Sequence, residues 1–548
     1  MRASFHGSRS FMTRHRISWA YLLASALTFT ACTSSPSDTL ETPDASTPDA
    51  GTGYEWDGSY VPLEEKGNTW PDTGPYASCT FTANRQDPCP EDFSLFDLSA
   101  CNRESLANAN TDGLFMLTLR SNRSTPSFAA TSIRLRSDGG TQYISDNPIT
   151  QQASDGNARF YASERIRGDG TKNRTMIATC EAPQAPEFTG CYATCSNGKV
   201  SSLYTFKSQR TTTWRAGETE ASGLELVSEN PVDIGFPADV YVTKGHAYVV
   251  SSHLPEIEKG NGGLTVFDVS NKSAPKKVKT IQRENDVLWN GVWAKGDALY
   301  VASAAKGVLV FDISNPADPQ LVRNLPGSNI NVHTVFVDGN RLYAAASDVL
   351  AVIIFDLTDP LNPIEINRYA YNGASPHDMF AIGDRLYVST YDQGFLIADM
   401  SNPNDFRTLG QFTYPFQLAH HNAVGSFGGR TIAFEGGEGP GEHLRVLDIT
   451  DPAHIVKIGE FQLRPEFSIH NMVLVGKKLY IAWYQEGVRV LDVSNPTKPT
   501  QVAYYNSFRE SEADRGRYFA GVLGIRVPGD GFVYAVDSWR GLLILREQ

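Results

Sequence analysis

A strand and turn recur along the second half of this 548-residue chain. The copies read "GLTVFDVSN", "GVLVFDISNP", "AVIIFDLTDP", "FLIADMSNP", "LRVLDITDP" and "GVRVLDVSNP". Their aspartates fall at Asp268, Asp312, Asp356, Asp399, Asp448 and Asp492, spaced 44, 44, 43, 49 and 44 residues apart. Each copy carries an earlier half built on a Gly turn and an "LY" strand, as in "NGVWAKGDALYVAS" and "HTVFVDGNRLYAAA". One unit therefore holds four short strands in about 44 residues, the period of a β-propeller blade. A lone four-stranded unit leaves both faces bare, so such blades must stack around an axis.

Six full copies leave a C-terminal piece, "YFAGVLGIRVPGDGFVYAVDSWRGLLILRE", with three strands and no "SNP" turn. Residues 224–235, "LELVSENPVDIG", precede the first copy and align with the final strands of the others. They are expected to complete the last blade and close a ring of seven, which removes the open sheet edges. The repeated aspartates read as turn residues, since Asp, Ser and Asn side chains bond nearby backbone amides and Pro fixes φ. This repeat resembles the LVIVD-repeat family over residues 222–548. The resemblance implies a propeller outside the cytoplasm and implies no shared reaction.

The N-terminus reads as an address. Arg14 and Arg16 precede "ISWAYLLASALTF", too short for a membrane span and typical of a secretory signal, and Met12 is an alternative start. The run ends in "FTAC", which resembles the lipobox of bacterial lipoproteins, with Phe29 in place of the more usual Leu. The resemblance implies a signal over residues 1–31 and a diacylated Cys32. Thr33 stands where an aspartate would favour the inner membrane, so the outer membrane or cell surface is expected. Residues 32–75 are rich in Ser, Thr, Pro and Asp and are expected to be a disordered stalk.

Six further cysteines, Cys79, Cys89, Cys101, Cys180, Cys191 and Cys195, all precede residue 200. An even number in an exported segment reads as disulfides with 15 possible pairings. Zinc is the rival reading, but paired C-x-x-C knuckles are missing. Alternating stretches such as "GLFMLTLRSN" and "ARFYASERIRG" mark antiparallel strands. The whole chain is thus expected to be all-β: a small disulfide-stapled antiparallel β domain over 76–215, then a seven-bladed propeller over 222–548.

With 41% hydrophobic and 20% charged residues the chain is of ordinary globular composition. Its net charge of −13 argues against nucleic acid as a partner. The informative residues break the repeat. Aligned on the Gly turn, the first inner-strand position reads Asp239, Asn290, His333, His377, His421 and His470. Histidine there suits a transition metal or a general base, or a hydrogen bond to a neighbouring strand. The fifth copy is longer, and its extra length is assigned to "FEGGEGPGEHLRV", a loop expected on the same face. Glu435, Glu438, Glu442 and His443 would then lie near His420 and His421.

Candidate ligand or partner residues are therefore His333, His377, His420, His421, His470, Glu435 and Glu438. No Ser nucleophile motif, phosphate loop or HExxH occurs, so no catalytic residue is assigned. The expected function is a non-catalytic envelope binding or scaffold module. Its expected partner is an envelope or extracellular protein or polymer, with membrane contact through the lipid anchor alone. No cofactor is expected, save a divalent metal at the channel mouth. The alternatives are a metal-dependent hydrolase at that mouth and a structural role in envelope assembly.

Overall fold

A computed structural model describes residues 55–66, 72–109, 112–145, 147–166, 170–211, 214–215, 217–253, 261–415, 417–439, 441–465, 467–509 and 519–548. The signal segment and Cys32 lie outside the described residues. No described helix is long and apolar enough to cross a membrane.

Eight antiparallel strands between Gly113 and Arg210 form a closed barrel, in which Lys199–Arg210 pairs back onto Gly113–Ser121. Alternate residues of these strands fill the interior, among them Phe115, Leu117, Ile133, Phe160, Ala162 and Phe206. A segment with two short 3-10 helices, Phe93–Leu95 and Arg103–Asn108, covers the wall and buries Leu95, Phe96 and Leu106 in the same core. Three disulfides tie this cover down: Cys79–Cys191, Cys89–Cys195 and Cys101–Cys180. All six sulfurs are paired, so none is left for zinc.

The propeller has seven blades, here numbered 1 to 7: residues 236–281, 289–325, 332–369, 378–412, 419–461, 472–505 and 522–547. Leu224–Asn230 pairs antiparallel with Gly541–Glu547 and supplies the fourth strand of blade 7, as the sequence predicts. Each second strand is sandwiched between neighbouring blades, so both its faces are dry. In Ala298–Ser303 every residue is buried, which is why the "LY" strands read as continuous apolar runs rather than alternating ones. The outer strands face water and alternate or turn polar, as in Lys276–Ile281.

The repeated aspartates do the turn chemistry expected of them. Asp268, Asp312, Asp356, Asp399, Asp448 and Asp492 each accept from the backbone amide two residues on, at 2.7–3.0 Å. Tyrosines of the second strands lock blade to blade: Tyr248 and Tyr300 donate to the carbonyls of Pro316 and Pro360, each in the next blade's turn.

Residues 55–66 and 72–75, within the stretch expected to be a disordered stalk, are packed against the folded body. Trp56 is only 3% exposed and packs with Phe427, Ile432 and Phe434 of blade 5. Leu63 N donates to Lys457 O, and Asp72 pairs with Arg120 of the barrel. The rings of Trp56 and Tyr60 and the acidic side chain of Glu65, paired with Arg445 and Lys457, give this stretch enough burial and pairing to order it.

Candidate functional site

Each inner strand begins at the mouth of the channel, and most begin with a bulge. Register shifts occur at 237/239, 289/291, 332/334, 419/421 and 522/524. A bulge adds a residue and re-aims its side chain. Here it singles out Ala238, Asn290, His333, His420 and Leu523. His377 and His470 sit just before the inner strands of blades 4 and 6, with their amides bonded to Ser389 O and Ala482 O.

These residues form an arc across five blades. Asn290 Nδ2 lies 3.1 Å from His333 Nε2. The His333–His377, His377–His420 and His420–His470 ring centroids are 4.1, 4.4 and 4.4 Å apart. His420 therefore takes the place that alignment on the Gly turn gives to His421. His421 is the next residue along and belongs with Asp378 (3.6 Å) and Asp239, which is paired with Arg526 at 3.2 Å. The alignment slips because the hairpin of blade 5 is longer. His421 pairs with Gly436, 15 residues on, whereas Thr334 pairs with Ala345, 11 on. Most of that extra length lies at the opposite end of the strand from the mouth; the "FEGGEGPGEHLRV" loop adds a smaller part, since Gly436 pairs with Leu444, 8 residues on, where Ala302 pairs with Val308, 6 on. At the end away from the mouth the hairpin clasps the N-terminal segment, with Arg430 Nε donating to Gly58 O at 2.7 Å.

Of the acidic candidates only Glu438 reaches the arc. Its carboxylate lies 3.7 Å from His420 Nε2 and 4.0 Å from His470 Nε2. Tyr484 donates its hydroxyl to the same carboxylate. Burial pushes Glu438 up to about 7 and holds the imidazoles down, His333 to about 4 and His470 to about 3. The rings are thus neutral at physiological pH.

Glu435 does not join them. It is fully buried in a separate network around Arg445, whose Nη1 lies 3.4 Å from Glu435 and 2.6 Å from Glu442. Arg445 Nε reaches Glu65 of the N-terminal segment at 3.1 Å, and Tyr414 stacks beneath the guanidinium at 3.6 Å. His443 faces Glu460 instead (3.8 Å). Glu435 lies on the strand Arg430–Gly437 and Glu438 just past its end, and the two carboxylates are held by different partners, Arg445 and Tyr484.

Two residues absent from the sequence reading complete the mouth. Tyr391 and Tyr484 occupy equivalent loops of blades 4 and 6, both at positive φ, 48° and 31°. An aromatic residue held there is strained. Tyr391 stacks on His377 (5.2 Å, 24°) and Tyr484 meets His470 edge-on (5.2 Å, 81°). Both flank Glu438, since Tyr391 OH donates to its backbone oxygen at 3.4 Å. The signal was present in "STYDQG" and "AWYQEG", the same Tyr before a Gly strand start.

The LVIVD repeat family matches residues 235–282, 290–325, 376–412 and 470–507, which are blades 1, 2, 4 and 6. No curated protein matches the chain. Among solved structures it is similar to the WD40 β-propeller domain of Doa1 (12% identity, TM-score 0.45, 60% of this chain and 98% of that one). A chain of the mitotic checkpoint complex gives 12% identity and TM-score 0.43 over 62% of this chain and 98% of that one. The computationally designed Ika8 protein gives 11% and 0.40 over 74% and 97%. Blades 3 and 5 pair strand for strand like the matched four, so the ring of seven blades carries four LVIVD repeats and two further blades of the same strand pairing.

Proposed function

We propose that the protein is a cell-envelope lipoprotein, anchored through Cys32, that captures its partner at the imidazole-lined mouth of the propeller. A propeller of LVIVD repeats suggests a binding or scaffold module. The observation that carries the choice of face is the arc itself: four imidazoles from four consecutive blades converge with Glu438. The opposite face is made of near-identical Asx turns, which offer little to discriminate between partners. Polar groups presented by a rigid scaffold are where binding concentrates. The partner expected is an envelope or extracellular protein or polymer. In the alternative reading, hydrolysis assisted by a metal, His377, His420 and Glu438 would carry the ion.

Capture from solubilised envelope tests this directly. The double variant His333→Ala with His377→Ala removes two half-buried rings and is expected to retain the wild-type melting temperature while losing the captured component. Equal capture by a stably folded variant moves the site off the mouth. In the same cells Cys32→Ser is expected to shift the chain out of the membrane fraction, and unchanged retention removes the anchor.

A further inference from the structure

We propose that His377, His420 and Glu438 bind one divalent transition-metal ion, with His470 beside them as a fourth donor. The proposal rests on the mouth being the protein's binding site and names what that site holds. One donor atom from each of His377, His420 and Glu438 lies within 4.8 Å of the others. A tetrahedral site with bonds of about 2.0–2.2 Å needs donors roughly 3.3–3.5 Å apart. The His420–Glu438 separation of 3.7 Å is already close to that, and small side-chain rotations close the rest.

The tautomers are set for ligation. His420 Nδ1–H donates to His470 O and His470 Nδ1–H donates to Leu523 O, each at 3.0 Å. A carbonyl only accepts, so the proton must sit on Nδ1 in both rings. Each Nε2 is then a lone-pair donor aimed at Glu438. Backbone carbonyls holding the far nitrogen are the usual support of a metal-binding histidine. His377 adds a buried Nδ1 with no hydrogen-bond partner among the described residues, so its ring has bonding capacity unspent within the fold. Around these donors Tyr391 and Tyr484 are held at strained φ with their rings against His377 and His470. Strain of that kind persists where surrounding structure fixes a geometry that a site needs.

The donor chemistry selects the ion. Three imidazoles and one carboxylate suit Zn²⁺ and its first-row neighbours, whereas Ca²⁺ and Mg²⁺ take oxygen ligands. A purely structural role accounts for the two backbone hydrogen bonds, but not for the convergence of donor atoms from His377, His420 and Glu438 on one point.

The test is calorimetric titration of the tag-free full chain, in detergent and stripped with chelator, using Zn²⁺ alone. One site per chain is expected. Glu438→Gln and His377→Ala are each expected to weaken it at least about tenfold, with metal-free melting temperatures unchanged. Co²⁺ should give the visible absorption of a tetrahedral site in the wild type and lose it in Glu438→Gln. No stoichiometric uptake by the wild type, or uptake unchanged in both variants, overturns the proposal. Loss of partner capture in the His333/His377 double variant without Zn²⁺ uptake removes the metal and leaves the mouth as the capture site. Stoichiometric uptake with capture unchanged does the reverse.

Discussion

Arg445 and Arg489 occupy the same position of their blades, three residues before the turn aspartate, where blades 1 to 4 carry Thr265, Leu309, Ile353 and Leu396. Both guanidiniums are fully buried. Each is met by a glutamate from its own blade and by one arriving from outside the propeller. Arg445 receives Glu442 and Glu65, and Arg489 receives Glu486 at 2.9 Å and Glu218 at 3.1 Å. A buried arginine contributes little by itself, but removing one partner strands the others. Arg445→Met would leave Glu435 and Glu442 buried against an apolar side chain. It is expected to lower unfolding stability by about 3–5 kcal/mol, read from denaturant midpoints at constant slope. Leu309→Met, at the same place in blade 2, is expected to cost less than about 1.5 kcal/mol. The break in the repeat was visible as "LRVLD" and "VRVLD" against "VLVFD", yet no rule of local sequence says that the missing carboxylates come from residues 65 and 218.

At the scale of the strand, what the sequence made legible and what it hid divide cleanly. Period, blade count and the closing strand follow from hydrophobic runs and turn chemistry, which are local and repeat in register. The site residues depend on bulges, and a bulge moves one side chain without leaving a mark on composition. A hairpin longer by four residues was enough to exchange His420 for His421. The closing strand is the element with most at stake. Leu224–Asn230 covers the edge of Gly541–Glu547, and Leu224 packs with Leu543, Leu545 and Tyr505. Deleting residues 224–230 opens the ring and leaves an unpaired strand edge. The expected result is a large fall in melting temperature with concentration-dependent aggregation. A melt unchanged from the full chain would mean that the ring is held by face packing alone.

Across the whole molecule the two β structures are stabilised by different means. The barrel is small, and its cover segment, residues 79–109, is fastened by three disulfides that close loops of 79 to 112 residues. The propeller has no cysteine after Cys195 and depends on seven packed interfaces and a sealed ring. Where they meet, Trp214 Nε1 donates to Phe508 O at 3.0 Å, and Leu114 packs with Phe508 and Ala520. Residues 55–66 run the other way and fasten onto blade 5. Losing a native disulfide typically costs about 2–5 kcal/mol in a small secreted domain. Three such losses, about 6–15 kcal/mol together, are as large as the roughly 5–15 kcal/mol that holds an ordinary domain together. Reduction is therefore expected to unfold the barrel and spare the blades. Hydrogen exchange followed by mass spectrometry reads both at once. With reductant present, amides of residues 113–210 should exchange quickly, while "LY" strands such as Ala298–Ser303 keep their protection. Protection lost together in both regions would show that the barrel is part of what holds the ring shut, and Trp214→Ala in the oxidised protein should then loosen the blades as well.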